Sequence, residues 1–180
     1  MIAEAMTIEI EAQGALIALA MAGDEVAFAR IVATYHGDMA RIAYLVCGSL
    51  DVAEEAEQAA WAKAWHRLGD VRDPARLRPW LMSVAANEAR QIVRGQKRRS
   101  VRELDVAGPT STASVDRAAL LDLANALAGL DPRDRAIIGL RYIAGLDSAE
   151  IGRAIGMSAS GVRVRLHRLL GRLREELGDD

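Results

Sequence analysis

The chain has 180 residues, of which 51% are hydrophobic and 27% are charged, and its formal net charge at pH 7 is -2. This composition is typical of one medium or two small globular domains and excludes a largely disordered chain. The single cysteine, Cys47, excludes a disulfide framework and a cysteine-rich zinc module, and we expect it to be a reduced, buried thiol. The near-neutral net charge also argues against a nucleic-acid-binding protein, unless the charge is unevenly distributed along the chain.

The charge is in fact distributed in blocks. Residues 1–60 carry two basic side chains and ten acidic ones. No acid occurs in residues 89–102 or in residues 151–174, and each of these segments carries six basic side chains. Such blocks indicate separate surfaces for separate partners. For either block alone, the alternative is a solvated helix face whose charges share one sign.

Targeting and membrane signals are not predicted. Residues 1–14 carry acids and no basic segment, unlike a secretory signal, and the longest apolar stretch, 15–23, is too short to cross a bilayer. We therefore expect a cytoplasmic protein without membrane insertion. The sequence leaves open whether translation begins at Met1 or Met6.

Helical periodicity dominates the whole chain, and no segment shows the alternation of a strand. Gly23 and Asp24 predict a break and an N-cap between the first two helices, and residues 69–79 predict a loop. The predicted helices cover residues 17–22, 25–35, 38–48, 52–68, 79–98, 119–129, 133–143, 148–154 and 159–176.

A linker is predicted at residues 101–118, which contain Gly108-Pro109 and a run of Thr and Ser. Fully extended, these residues would reach ~60 Å at ~3.3 Å each. We therefore predict an all-α fold in which two small helical domains, 1–100 and 119–180, are joined by a flexible linker.

The helix at 52–68 has an acidic start, which suits the helix dipole and invites a basic protein partner. Trp61, Trp65 and Leu68 share one face and are most simply core anchors. Glu57 also falls on this apolar side, where an unpaired carboxylate would be costly to bury.

The helix after Pro79 has an apolar side and a polar-to-cationic side. Leu81, Val84, Ala85 and Ile92 form its predicted buried stripe. The opposite side forms a track that suits single-stranded nucleic acid, through phosphate neutralisation and base stacking. Trp80 begins this helix and is at least as well explained as a core residue. The residues of the track are Ser83, Asn87, Arg90, Arg94, Lys97 and Arg98.

Residues 147–158 (DSAEIGRAIGMS) have the pattern of a helix-turn-helix. Asp147 or Ser148 can cap the first helix, with Glu150 near its positive end. Gly156 permits the turn, and Ser158 caps the second helix.

The second helix of this motif has one apolar and one basic face. The apolar stripe is formed by Val162, Leu166, Leu169 and Leu173, with Leu170 at its edge. The other face combines small residues with arginines, as suits a helix that reads the DNA major groove. The alternative is an arginine-rich surface helix of an unrelated bundle, and His167 alone would more often be a surface histidine. The predicted DNA-facing residues are Ser160, Arg163, Val164, Arg165, His167 and Arg168.

The order of these segments resembles an extracytoplasmic-function sigma factor, the short bacterial type that has only regions two and four. The resemblance covers residues 16–177. Residues 22–28 (AGDEVAF), 53–65 (AEEAEQAAWAKAW) and 80–89 (WLMSVAANEA) are similar to region two. Residues 130–138 (LDPRDRAII), 140–142 and the helix-turn-helix are similar to region four.

The resemblance implies three binding sites and no catalysis. The second helix of the helix-turn-helix would read the -35 promoter element as duplex DNA. The core RNA polymerase clamp would be bound by Glu54, Glu55, Gln58, Ala59 and Ala62. The melted -10 element would be handled, with the loop 70–78, by Arg72, Arg76, Trp80, Ser83, Asn87, Arg90, Arg94, Lys97 and Arg98. The linker would thread through the polymerase towards the RNA exit path.

Core RNA polymerase and promoter DNA are therefore the expected partners, which places the protein at the nucleoid. The resemblance leaves open whether an anti-sigma factor is a further partner. No cofactor or metal is expected, because no ligand or triad spacing and no phosphate-binding glycine loop occurs.

The chain departs from the family pattern at four positions. Glu57 replaces a large aliphatic, and Ala59 replaces an acid. Gln91 stands where an acid is common, and Gly161 replaces a frequent Thr or Ser. We expect the first two departures to weaken or tune the affinity for core polymerase.

Three other functions are weighed against this one. A free-standing helix-turn-helix regulator would leave the acidic helix and the linker without a role. A sigma-derived interaction protein that no longer initiates transcription would explain Glu57 and Ala59. A helical enzyme lacks any catalytic constellation.

Overall fold

A computed structural model describes residues 2–100 and 117–178, with the side chains of 12–98 and 122–178. In these ranges the chain forms eight α-helices, two 3-10 helices and no β-strand, which confirms the predicted all-α class. The 3-10 helices are Leu68–Asp70 and Pro74–Arg76. The α-helices are α1 (Ile2–Met21), α2 (Glu25–Cys47), α3 (Leu50–Arg67), α4 (Leu77–Ser100), α5 (Arg117–Ala128), α6 (Pro132–Tyr142), α7 (Ser148–Ile155) and α8 (Ala159–Leu177).

The first two helices are longer than predicted. α1 begins at Ile2 rather than at residue 17, in a segment rich in the strong helix formers Ala, Glu and Met. Asp24 caps α2 as predicted, accepting a hydrogen bond of 2.9 Å from the Ala27 amide. The predicted break between 35 and 38 is wrong, because Ile31, Met39 and Ile42 lie on one fully buried face and require a continuous helix.

The helices α1–α4, which we call the N-terminal unit, enclose a core between α2, α3 and α4. The buried face of α3 consists of small side chains, Ala53, Ala56, Ala60 and Ala64, so its neighbours approach closely. Trp61 and Trp65 are half-buried and both make edge-to-face contacts with Phe28, with ring centroids 5.9 and 4.8 Å apart. The tryptophans therefore anchor the α2–α3 contact at its margin rather than at its centre.

The buried stripe of α4 is wider than predicted. Leu81, Val84 and Ala85 are buried, but Ile92 is only half-buried, and Met82, Ala86 and Ala89 join the core. α4 begins at Leu77, before Pro79, since a proline is tolerated in the first turn of a helix.

Cys47 ends α2 and is half-buried rather than buried. Its thiol donates a weak hydrogen bond of 3.8 Å to the Val52 main-chain oxygen. Burial raises the pKa of this thiol to about 11, with the nearby Arg135 acting in the opposite direction. The thiol is therefore protonated at neutral pH.

The helices α5–α8, which we call the C-terminal unit, contain the predicted helix-turn-helix as α7 and α8. Asp147 and Glu150 form a reciprocal capping box at the start of α7. Gly156 has a φ of 71°, and Ser158 caps α8 by accepting from the Gly161 amide. A Cβ atom at Gly152 would lie 2.5 Å from the Met157 main-chain oxygen, so this position requires glycine.

The apolar stripe predicted for α8 is confirmed. Val162, Leu166, Leu169 and Leu173 are buried, and Leu170 at its edge is half-buried. The stripe faces the rest of the C-terminal unit, and Arg163, Arg168, Arg172 and Arg174 of α8 are exposed.

The predicted division into two domains and a linker remains a prediction, because residues 101–116 lie outside the described ranges. α5 begins at Arg117, so the last two residues assigned to the linker belong to a helix. The two units are in contact in the structure, with α6 against α2 and α4, and α7 against α4. Of the helices described, none combines the length and the apolarity that a bilayer crossing requires.

Candidate functional site: three polar surfaces

The exposed side of α8 presents the predicted DNA-reading residues. Ser160, Arg163, His167 and Arg168 are exposed. Val164 lies among them with 52% of its surface exposed, which leaves its methyl groups accessible on the same face. Beside these residues a groove of 610 Å³ is lined by Ser158, Ser160, Gly161, Val164, Arg168 and Arg172, among others.

Arg165 differs from the other predicted readers because carboxylates already hold its guanidinium. Its Nη2 donates to Asp131 at 2.9 Å and to Asp134 at 3.0 Å, and its Nε also donates to Asp134. The hydrogen bond to Asp134 is the largest of the effects that raise the pKa of Arg165. Arg165 therefore ties α8 to the start of α6, and its contact with DNA stays a prediction.

Asp131 and Asp134 both lie at the start of α6. Asp131 is the N-cap and accepts from the amides of Arg133 and Asp134 at 2.8 and 3.0 Å. Burial opposes the charged form of Asp131, but these amides and the Arg165 guanidinium outweigh it and lower the pKa of the carboxyl. Asp134 is buried and is compensated by Arg165.

The track along α4 is exposed only in its C-terminal half. Arg94, Lys97 and Arg98 are exposed, whereas Ser83 donates back to the Pro79 oxygen at 2.8 Å. Asn87 is half-buried and donates to the main-chain oxygen of Ala154, in α7.

Arg90, between the two halves of the track, donates to Asn87 Oδ1 at 3.1 Å. Burial, followed by the nearby cations Arg94 and Arg133, lowers the pKa of Arg90. Arg90 is therefore partly withdrawn from solvent.

Three predicted -10 residues, in the loop before α4 and in the first turn of α4, have different surroundings. Arg72 is exposed, and Trp80 is half-buried and packs against the core. Arg76 pairs with Glu150 of α7. Arg78 also lies here, in the first turn of α4, although the sequence pattern did not single it out.

The acidic helix α3 presents most of the residues predicted to bind polymerase. Glu54, Glu55, Gln58 and Ala62 are exposed, and Ala59 is half-buried. Between α2 and α3 a groove of 440 Å³ is lined by residues of both helices: His36, Ala40, Tyr44, Leu50, Ala53, Glu54, Glu57, Gln58 and Trp61. Tyr44 and Leu50 expose 44% and 65% of their surface beside these acids, and sequence reasoning missed both, because neither belongs to the acidic motif.

Glu57 lies on the buried side of α3, as its position in the sequence predicted, but it is not unpaired. Only 8% of its surface is exposed. Its carboxylate accepts from Trp61 Nε1 at 3.1 Å and pairs with Nδ1 of His36 across the groove. The expected penalty of an uncompensated buried charge therefore does not arise.

In the described part of the chain, no group of three or more His, Cys, Asp or Glu side chains is arranged to hold a metal ion. The described residues therefore present three exposed polar surfaces on helices, one acidic and two basic.

Comparisons with known proteins match both units. Residues 31–99 match the family model Sigma-70 region 2, and residues 120–173 match Sigma-70, region 4. Among solved structures, CnrH in complex with the cytosolic domain of CnrY is 27% identical, with a TM-score of 0.66 over 92% of this chain and 96% of that one. The sigma factor RpoE of Bartonella quintana, in complex with the anti-sigma factor NepR, has a TM-score of 0.71 over 85% of this chain and 98% of that one. Because the two sequences are only 23% identical, this similarity shows the fold alone.

Curated relatives agree with these matches. The chain is 30% identical to the probable RNA polymerase sigma factor RfaY of Xanthomonas campestris, but spans 42% of the length of that protein. It is 36% identical to the RNA polymerase sigma factor CarQ of Myxococcus xanthus, over 84% of this chain and 87% of CarQ. The ECF RNA polymerase sigma factor SigL of Mycobacterium tuberculosis is 35% identical, over 77% of this chain and 83% of SigL. With both regions matched in order and CarQ and SigL covered over most of their length, the chain belongs to the extracytoplasmic-function sigma factors.

Proposed function

We propose that this sigma factor binds core RNA polymerase and directs it to a restricted set of promoters, which it reads at the -35 element as duplex and at the -10 element as melted DNA. The observation that carries the proposal is the presence, on one chain, of a capped helix-turn-helix with an exposed basic face and a second, separate basic track on α4. As a sigma factor the chain is a regulatory DNA-binding protein, and nucleotidyl transfer belongs to the polymerase.

The -35 element would be read by the exposed face of α8. Arginine side chains pair bidentately with guanine in the major groove, and an apolar group contacts the thymine methyl. Arg168 and Val164 are suited to these two roles, and Arg163 to a phosphate contact that fixes register. Arg165 would contribute indirectly, because its pairing with Asp131 and Asp134 sets the orientation of α8 on α6.

The melted -10 strand would follow the cationic end of α4. Arg94, Lys97 and Arg98 offer phosphate contacts without sequence preference, as single-strand-binding surfaces do. Asn87, Arg90 and Arg76 lie nearer the loop. Asn87 and Arg76 would act on bases once their contacts with α7 are released, and Arg90 once its hydrogen bond to Asn87 is released. Trp80 packs against the core, so stacking on a base would use only its exposed edge.

Core polymerase would bind the acidic face of α3. Glu54 and Glu55 provide charge that is complementary to a basic partner, and Gln58 provides a neutral hydrogen-bonding group beside them. Exposed apolar side chains next to a charged rim are typical of protein interfaces, and Tyr44 and Leu50 meet this description. The partner would bury these two residues while it pairs with the acids.

An anti-sigma factor is proposed as a further partner. CnrH and RpoE were each solved in complex with a protein of another chain, the cytosolic domain of CnrY and the anti-sigma factor NepR respectively. The similarity in fold supports a comparable partner for this chain. Because its other partners are polymerase and promoter DNA, the protein would act in the cytoplasm at the nucleoid.

In vitro transcription with core polymerase, followed by mapping of the start sites, tests the proposal. We expect discrete start sites that share upstream sequence. Binding of promoter DNA without core polymerase, together with no effect on transcription, would instead identify a free-standing regulator. Stable core binding without any start site would identify a sigma-derived interaction protein.

A further inference from the structure

α1 packs across α2 and across both 3-10 helices of the loop before α4, residues 68–76. Among the described side chains of α1, Ile17 and Ala20 are buried. Gln13 Nε2 donates a hydrogen bond of 2.6 Å to the hydroxyl of Tyr35, which belongs to α2. α1 is therefore held on α2, and the loop lies against a helix whose position is already fixed.

α1 approaches the loop closely at Gly14. A Cβ atom at this position would lie 3.3 Å from Cγ of Pro74, so a side chain at residue 14 would push against the proline ring. Pro74 begins the second 3-10 helix, and Asp73 caps that helix by accepting a hydrogen bond of 3.0 Å from the Ala75 amide. Because the proline ring fixes φ and the cap fixes the next peptide, the contact with Gly14 positions this short helix as a unit.

α1 also contacts the start of the loop. Cε of Met21 lies 3.5 Å from the position that a Cβ atom of Gly69 would take. Within the loop only Leu68 and Val71 are buried, and no residue from 72 to 76 is. Because a segment with so few core contacts of its own is easily displaced, the contacts with α1 decide where the loop lies.

The loop carries two of the residues expected at the melted -10 element, Arg72 and Arg76, and both are exposed. They flank the segment that Gly14 contacts, since Arg72 precedes the Asp73 cap and Arg76 ends the second 3-10 helix. A side chain that reads a ligand must be held within about 0.5 Å of its productive position. A displacement of Pro74 would move both arginines together, whereas the exposed face of α8 would stay in place.

We propose that α1 is a brace, a helix that fixes the loop in place, and that it thereby sets the base preference at the -10 element, with Gly14 as the positioning residue. This inference rests on the proposed function, in which the loop handles the melted -10 strand. Gly14 acts only through Pro74, since a glycine has no side chain that could reach DNA. A side chain at residue 14 therefore changes which -10 sequences are preferred and leaves core polymerase binding and -35 recognition unchanged.

In vitro transcription with core polymerase and the Gly14→Val variant tests the effect on specificity. The templates carry single-base changes in the -10 element of a mapped promoter and, in a second set, in its -35 element. We expect discrimination among the -10 templates to fall by about tenfold, the order that one base contact provides, and discrimination among the -35 templates to stay within about twofold of wild type. Ala15→Val, at an exposed position of α1, is the matched control and should behave like wild type. Equal losses in both sets, or -10 discrimination like that of wild type, overturn the inference.

Pro74→Ala tests whether residue 14 acts through the proline. This substitution removes Cγ, which a Cβ atom at residue 14 would meet at 3.3 Å, and leaves Cβ, which is 4.0 Å away. In the Gly14→Val background it should restore -10 discrimination to within about threefold of wild type, since the effects of contacting residues are not additive. Effects of the two substitutions that simply add would overturn the assignment of Gly14 as the positioning residue.

Hydrogen exchange of the full free chain tests the brace without DNA or polymerase. The amides of Val71 and Arg76 donate to main-chain oxygens within the loop, at 3.0 and 2.9 Å. Gly14→Val should speed their exchange by about threefold or more and leave the amide of Ile42, in the core of α2, at its wild-type rate. Wild-type exchange in the loop, or equal acceleration at Ile42, overturns the brace.

Met21→Ala provides a milder variant, because Met21 is exposed and its loss spares the core. It removes the contact beside Gly69, so loop exchange should again rise while the exchange of Ile42 stays unchanged. Loop exchange at the wild-type rate in this variant as well as in Gly14→Val would show that α1 does not hold the loop. Failure of the proposed function would appear separately, as an absence of mapped start sites with the wild-type chain.

Discussion

The indole Nε1 of Trp61 donates a hydrogen bond of 3.1 Å to the carboxylate of Glu57, one turn earlier on α3. Glu57 is also paired with His36 of α2, so a carboxylate at a position of aliphatic character is compensated from two helices. Glu57, Trp61 and His36 all line the groove beside the surface proposed for polymerase. The carboxylate that departs from the family pattern at this position therefore makes specific contacts with Trp61 and His36.

Removal of this carboxylate should destabilise the N-terminal unit. We expect Glu57→Ala to lower the free energy of unfolding by about 1–3 kcal/mol, because a charge-assisted hydrogen bond is lost. Glu57→Gln keeps an acceptor for Trp61, so its free energy of unfolding should fall by less. Urea denaturation measures both, with Glu54→Ala, on the exposed face, as the control that should stay within about 0.5 kcal/mol of wild type. Equal losses for Gln and Ala would show that the charge opposite His36, and not the acceptor, matters.

Arg168→Ala should impair recognition of the -35 duplex and leave core binding intact. One bidentate base contact contributes about 1–3 kcal/mol of discrimination, so run-off transcription from cognate promoters should fall by roughly tenfold. Arg174→Ala removes the same charge from the last turn of α8 and serves as the control. Unchanged transcription by the Arg168 variant would show that the reading face of α8 lies elsewhere.

Glu55→Arg combined with Gln58→Ala should weaken association with core polymerase. Reversal of a charge in a complementary interface slows association and makes it less sensitive to salt, so we expect about a tenfold loss of affinity. Co-purification with core and its salt dependence provide the measurement. Glu25→Arg, a reversal at an exposed position on α2, should leave binding unchanged. If the double variant co-purifies like wild type, the polymerase surface is not on α3.

The C-terminal unit should lose stability in acid through Asp131. The pKa of this N-cap carboxyl is lowered from 3.8, so its contribution is present above the unfolded value and is lost as the pH falls through the lower, folded pKa. Asp131→Asn should lower the melting temperature at pH 7, and its difference from wild type should shrink towards pH 3. Asp131→Ser keeps a cap that does not titrate and should remove only the Arg165 pair. A difference that is independent of pH would show that the charge of Asp131 adds nothing.

The helix-turn-helix could be predicted almost completely from the sequence because its determinants are local. Asp147, Glu150, Gly156 and Ser158 act within a few residues of their own position, through caps and one turn. Asp24 could be predicted for the same reason, because it caps α2 through the amide of Ala27, three residues away. The continuity of α2 could not be predicted, since Gly37 and His36 suggest a break, and only burial against α4 shows that Ile31 and Met39 share one face.

The contacts that join the two units could not be predicted at all. Arg76 and Glu150 are 74 residues apart, and Asn87 and Ala154 are 67 residues apart. A basic residue in a loop is equally compatible with a phosphate, a solvent-exposed side chain or a distant carboxylate. For the same reason the sequence predicts Arg165 as a DNA-facing residue, although Asp131 and Asp134, which hold its guanidinium, lie at the start of α6.

Gly152 carries a consequence for how promoter preference can evolve in this chain. Its missing side chain allows the turn to fold back onto α7, with the Met157 oxygen in the space that a methyl group would need. A larger residue there would push the turn away from α7 and change the orientation of α8, including the face proposed to read the -35 element. Under the proposed function, promoter preference would therefore depend on the absence of a side chain at Gly152 of α7, as well as on the side chains proposed to contact DNA.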